Sequence, residues 1–289
     1  MMRTRDAPVD APAAGTWSLL RHPAREAGDG RMLAITSADA GWQYVSLAVH
    51  RLHPGQRLSR PGDDQEVLAL VLEGQATVGV DRERFEGVGG RASVFDTVPA
   101  GVVIVEPGRD VEVVPESETL VAIAAAPGGD RRVTWVRRPA DVFTETRGTG
   151  NTARRIHHLL PPAADAGRLI AFEVYTPGGN WSSYPPHKHD TDDPPRESYL
   201  EEVYFYRFAR PSGFAVQRIY TPDRALDETL TVTDGDLVLV PRGYHVVGAA
   251  AGYDTYYLNV MAGPTRLWRF TVDPDHAWLM DWDPERPKG

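Results

Sequence analysis

The sequence predicts an all-β protein built as two jelly-roll barrels in tandem. Three observations carry this expectation. Short β patterns recur along the chain, punctuated by 27 Gly and 24 Pro that supply its turns. No stretch longer than about 10 residues has helical periodicity. The pattern also occurs twice, at an offset of roughly 135 residues, which marks a duplicated domain and not a solenoid.

Residues 1–15 are rich in Ala, Pro and Asp and lack an apolar run, so they read as a disordered tail and not a signal peptide. Residues 16–130 form the first expected barrel, with strand patterns at Glu66-Val-Leu-Ala-Leu-Val-Leu72, Gln75-Ala-Thr-Val-Gly-Val80 and Val102-Val-Ile-Val105. Residues 131–150 are charged and contain glycine, and read as a connection that Trp135 and Phe143 pack down. Residues 151–289 form the second barrel. Its strand patterns include Leu169-Ile-Ala-Phe-Glu-Val-Tyr175, Glu202-Val-Tyr-Phe-Tyr-Arg-Phe208, Phe214-Ala-Val-Gln-Arg-Ile-Tyr220, Leu230-Thr-Val-Thr233 and Tyr256-Tyr-Leu-Asn-Val-Met261.

The net charge of −9 argues against a nucleic-acid partner. The absence of cysteine excludes disulfides, thiolate metal sites and cysteine nucleophiles. No apolar run approaches the roughly 20 residues of a membrane span. A cytoplasmic protein is expected.

One constellation points to chemistry. In a strand, residues i and i+2 share a face, so His187 and His189 can reach one ion while Lys188 points away. Glu202 opens a strand, and His245 follows a turn containing Pro241 and Gly243. Imidazoles and a carboxylate suit one divalent ion, Zn or Mn before Fe or Ni. Among nearby acids, Glu197, Glu201 and Asp190 compete with Glu202. Glu202 is preferred because it shares a face with Tyr204, Tyr206 and Phe208, whereas Glu201 is expected to be a solvated, outward charge. The other histidines are less informative. His22, His50, His53 and His276 stand alone, and at most one of the adjacent His157 and His158 can enter a site. The acidic stretch between His189 and Glu202 reads either as a loop over the site entrance or as a solvated excursion. In the first copy, Leu58-Ser-Arg60 stands where a His-x-His would be, and Arg109-Asp110 where the third histidine would be. Only Glu66 is retained, so the first barrel is expected to be structural.

The ligand pattern resembles that of the cupin superfamily, although twelve residues separate His189 from Glu202 where a few are usual. Arg147-Gly-Thr-Gly-Asn151, the run from Glu173 through Trp181 to Asp190, Leu200-Glu-Glu-Val-Tyr-Phe-Tyr-Arg-Phe208, Val240-Pro-Arg-Gly-Tyr-His245 and Tyr256-Tyr-Leu-Asn-Val-Met-Ala-Gly263 are similar to the 5-deoxy-glucuronate isomerase family of inositol catabolism. The resemblance implies a bicupin that converts 5-deoxy-D-glucuronate to 5-dehydro-2-deoxy-D-gluconate. It also implies a small uronate as the only partner besides further copies of the chain, in a homo-oligomer. Alternatives are the related isomerase acting on 5-keto-4-deoxyuronate in pectin breakdown, an iron-dependent bicupin dioxygenase, and a non-catalytic sugar-binding or storage cupin.

Such an isomerisation moves a proton between neighbouring carbons, so a base and a polarised carbonyl are required. Tyr206 and Tyr204 are the catalytic candidates by phase from Glu202; Glu173, Tyr257, His157 and His158 are others. Tyr257 is also a candidate for substrate contact. The substrate's carboxylate calls for an arginine fork, with Arg242 preferred to Arg218.

Overall fold

The computed structural model describes residues 18–24 and 28–282. The expected tail at residues 1–15 lies outside them. Strands dominate, and the helical pieces among the described residues are short 3-10 turns, the longest being Pro274–Met280. No helix among them is long and apolar enough to cross a membrane.

The two halves repeat one plan. In the second half, a seven-stranded and a five-stranded antiparallel sheet face each other around an aromatic core that includes Phe172, Tyr204, Tyr206, Phe208 and Tyr257. In the first half, the strand Gln65–Val80 serves both layers, pairing with Gly101–Val105 and Thr119–Pro127 early and with Glu83–Arg91 and Val111–Pro115 later. Its interior is aliphatic, with Val67, Ala69, Val78, Val103 and Val113.

A third core lies between the halves. Leu68, Leu70 and Leu72 from the first half meet Val203, Phe205, Leu258 and Val260 from the second. Strands at this junction are therefore buried on both faces and read as nearly continuous apolar runs. Alternation sorts their side chains: Glu202, Tyr204, Tyr206 and Phe208 point into the second half, and Val203 and Phe205 into the junction.

The segments that precede each half are exchanged. Leu20–Arg21 pairs with Val238 and Leu237 of the second half, and Trp135–Arg137 pairs with Val102 to Ile104 of the first. The segment read as a connection is thus divided, because Phe143–Arg147 joins the second half beside Arg154–Leu160.

Two buried glutamates complete this reciprocity. Glu201 is 1% exposed and accepts the backbone N–H groups of Gln43, Tyr44 and Val45 at 2.7–2.9 Å. Glu66 is also 1% exposed and accepts those of Gly167, Arg168 and Leu169 across the same junction. This corrects two sequence-based assignments. Glu201 is not a solvated charge: its outward face is the junction. Glu66 is the counterpart of Glu201, since both share a face with junction residues, and Val67 stands at the position of Glu202. Leu58 pairs with Val113 as His187 pairs with His245, so Val113, not Arg109-Asp110, occupies the third histidine's place.

Candidate metal centre and its cavity

His189, Glu202 and His245 converge, with one donor atom from each lying within 4.8 Å of the others. They come from three segments: the end of the Trp181–Lys188 strand, the start of Glu201–Phe208, and the start of Tyr244–Ala249. The turn before His245 depends on glycine. Gly243 has φ +90, and a Cβ there would lie 2.5 Å from the Tyr220 carbonyl oxygen. His187 pairs in register with His245, and its ring centroid lies 4.7 Å from that of His245 and 6.3 Å from that of His189. The structure thus brings three of the four expected ligands together and sets His187 beside them in the cavity wall.

The backbone fixes how the imidazoles face. Nδ1 of His187, His189 and His245 lies 3.0, 3.0 and 3.2 Å from the carbonyl oxygens of Pro185, Leu200 and Gly243. A carbonyl only accepts, so each Nδ1 carries the proton and each neutral ring keeps its lone pair on Nε2. Nε2 of His189 and of His245 then lies 3.1 and 3.0 Å from the same Glu202 oxygen. Two lone pairs facing a carboxylate repel unless a positive charge sits among them. His245 Nε2 is buried and has no hydrogen-bond partner. This donor set fits a divalent cation.

Without a cation, a proton on an imidazole takes the place of that charge, and the local electrostatics show the same demand for a positive charge beside Glu202. Burial pushes Glu202 up, but His245 and His189 outweigh it and hold the carboxyl well below its ordinary range. Burial pulls His189 down, yet Glu202 leaves it raised. His187, buried beside two other histidines, is lowered to about 3.

A cavity of about 270 Å³ opens above these residues. Glu202, His187, Tyr204, Tyr257, Asn259 and Arg154 line it, with Trp268 and Phe270 on the apolar side. Tyr204 and Tyr257 share Ser183: their hydroxyls lie 3.0 and 3.3 Å from its Oγ. Burial raises both phenols, Tyr204 well above its ordinary value. Asn259 donates from Nδ2 to the second Glu202 oxygen. Sequence reading had not singled out Asn259, although its phase with Tyr257 and Met261 on one strand was the available signal.

Other candidates lie elsewhere. Tyr206 is fully buried below Tyr204, outside the cavity wall, and its hydroxyl donates to Gln217 Oε1 at 2.8 Å. Glu173 faces the junction, where Arg91, His157 and the Tyr256 hydroxyl surround it. Burial raises its pKa, but Arg91 and His157 lower it to about 2, so it is a fixed anion and not a poised base. His158 meets Glu145 at 3.0 Å. Arg218 points out of the second half and pairs with Asp227 at 3.0 Å, because Ala215 and Ile219 take the inward phase. Arg242 does not line the cavity either. The two arginines that do are Arg147 and Arg154. The acidic stretch after His189 is not in the cavity wall; Lys188 gathers it by meeting Asp190 at 2.5 Å and Glu197 at 2.8 Å.

Comparison with known proteins places the chain in a family. The model of the KduI/IolB family matches residues 19–279. The chain belongs to the KduI/IolB family. Family relatives include the 5-deoxy-glucuronate isomerase of Geobacillus kaustophilus, 48% identical over 88% of this chain and 92% of that protein. That of Bacillus subtilis strain 168 is 40% identical over 91% and 98%. Among solved structures, an IolB-like protein from Salmonella typhimurium superposes with a TM-score of 0.88 at 41% identity, covering 91% of this chain and all of that one. The oxalate decarboxylase of Lactobacillus farciminis shares the bicupin fold with a TM-score of 0.64 at 12% identity, over 93% and 92% of the two chains.

Proposed function

We propose that this family member is a metal-dependent aldose–ketose isomerase that converts 5-deoxy-D-glucuronate to 5-dehydro-2-deoxy-D-gluconate in the cytoplasm. The observation that carries the reading is the His189–Glu202–His245 cluster, with imidazole Nε2 atoms aimed at one carboxylate beneath the cavity. The relatives named 5-deoxy-glucuronate isomerase supply the substrate.

The residues that would hold one divalent cation are His189, Glu202 and His245, with His187 beside them; Zn or Mn is preferred. A cation held there would supply Lewis-acid polarisation of the substrate carbonyl. The reaction removes a proton from C2, delivers one to C1, and moves a hydroxyl proton from O2 to O1. Tyr204, kept neutral by burial, holds a phenolic proton at hydrogen-bond reach of Ser183 and can donate it to a substrate oxygen. Tyr257 supports the same oxygen array through Ser183. Asn259 fixes the Glu202 carboxylate from behind. The apolar wall of Trp268 and Phe270 limits water at the reacting carbons.

The test is to incubate metal-replete protein with 5-deoxy-glucuronate under anaerobic conditions in D₂O and follow the products by NMR. A ketone with deuterium at the new CH₂OH is expected. Turnover of 5-keto-4-deoxyuronate alone would move the assignment to the pectin-pathway reaction. No turnover of either acid, with O₂ uptake on other substrates, would replace the isomerase with a dioxygenase.

A further inference from the structure

Two arginines stand in the cavity wall, and their surroundings differ. Arg147 meets Glu145 at 2.5 Å, so its charge is balanced within the protein. Arg154 is 8% exposed and has no carboxylate partner among the described residues. Its three hydrogen bonds all go to backbone carbonyls: Nη1 donates to Arg147 at 3.4 Å and to Thr152 at 3.0 Å, and Nη2 donates to Tyr184 at 3.2 Å. Carbonyls from three separate segments hold the guanidinium plane without neutralising it. None of these bonds uses Nε, so that edge keeps a free donor for a ligand.

The cradle depends on a glycine. Gly148 has φ +80, and a Cβ there would stand 2.8 Å from Arg154 Nη1. A buried cation without a counter-charge is costly, and an incoming anion relieves that cost. By contrast, Arg91, buried at the junction, has Glu173 for its partner. Position fits as well. Arg154 and His187 line the same cavity, and the Tyr184 carbonyl that fixes Arg154 lies three residues before His187 in sequence. A six-carbon acid with its aldehyde at His189, Glu202 and His245 would extend its carboxylate across that cavity.

We propose that Arg154 is the receptor for the substrate's carboxylate, and hence the residue that selects a uronate over a neutral sugar. This rests on the isomerase reading for the identity of the acid, but its test does not need turnover. Two probes are used with metal-replete full-length protein: 5-deoxy-glucuronate reduced at C1, which cannot isomerise, and the carboxamide of that compound. Calorimetry measures both affinities in the natural protein, in Arg154→Met and in Arg154→Lys.

The natural protein is expected to prefer the acid to the amide by about 10–100-fold, the range of one charge-assisted hydrogen bond, since the amide keeps one acceptor oxygen. Arg154→Met should bring that ratio close to one with the metal content unchanged. Arg154→Lys, which keeps the cation but not the fork, should retain only part of it. A purely structural role would weaken acid and amide together and leave the ratio intact. An unaltered ratio in both variants, or no acid preference in the natural protein, would overturn the proposal. Should Arg154→Met fail to fold, the ratio in Arg154→Lys decides alone. If the natural protein prefers the acid but turns over no uronate, the receptor stands and the isomerase reading falls.

Discussion

The two halves of this chain share a frame and differ in what fills it. At matching positions, the second half has His187, His189, Glu202 and His245, and the first has Leu58, Arg60, Val67 and Val113. The second half's cavity is lined by Tyr204, Tyr257 and Asn259; the first half has one of the same volume, about 270 Å³, where Leu58, Val113, Ile123 and Ala125 stand with Arg60 and His50. Yet both keep a buried glutamate one residue before the ligand position, reaching across the junction to three backbone N–H groups. Glu201 and Glu202 have different partners one residue apart, backbone N–H groups for the first and two imidazoles for the second. Strand alternation makes this possible, because Glu201 and Glu202 face opposite sides of one sheet.

The largest effect should come from breaking the second half's site. Glu202→Gln removes the charge that two imidazoles face. Metal content, measured by elemental analysis, should fall, and kcat/KM should drop by at least about 10³-fold, since a Lewis acid supplies several kcal/mol. Full activity without bound metal would remove the cation from the mechanism.

The converse substitution sharpens the comparison. Val67→Glu puts a carboxylate at the ligand position of the first half, where Val67 is 1% exposed and its neighbours are aliphatic. Among the described residues no cluster of ligating side chains waits for it there. Urea unfolding should show a loss of about 3–5 kcal/mol with no gain of metal. A stable, metal-binding Val67→Glu protein would mean that the first half retains a latent site.

Next come the junction glutamates. Glu66→Gln and Glu201→Gln each weaken a set of charge-assisted hydrogen bonds, at a cost of about 1.5–3 kcal/mol by urea unfolding. The two losses should be similar, because the two environments mirror each other. Metal content should be kept in both, since Glu66 and Glu201 belong to the junction. Loss of metal only in Glu201→Gln would show that the neighbouring ligand, Glu202, is positioned through the junction.

Much of this was legible in the sequence, and the gaps have physical causes. The fold class followed from turn residues and short strand patterns, and the convergence of His189, Glu202 and His245 from spacing and phase. Glu201 was misread because a sequence does not say whether a strand's second face meets water or another domain. The same ambiguity placed Glu66 on the wrong face, since a one-residue shift in register reverses every side chain. Glu173 and His157 looked like chemistry but serve a buried ion cluster at the junction. Arg154 went unnoticed because its distinction is a missing partner, which only three dimensions reveal.

The smallest effects are expected where sequence reading had placed the carboxylate contact. Arg218 pairs with Asp227 at a half-exposed surface, where such pairs contribute about 0–1 kcal/mol. Arg242 lies in the turn before His245, outside the cavity wall. Arg218→Ala and Arg242→Ala should therefore leave KM and kcat within about twofold of the natural values, with thermal unfolding shifted little. Steady-state kinetics on the uronate checks this directly. A rise in KM confined to Arg242→Ala would place the Pro241–Gly243 turn against bound substrate. The carboxylate would then be held beside the metal ligands, and not at the far end of the cavity by Arg154.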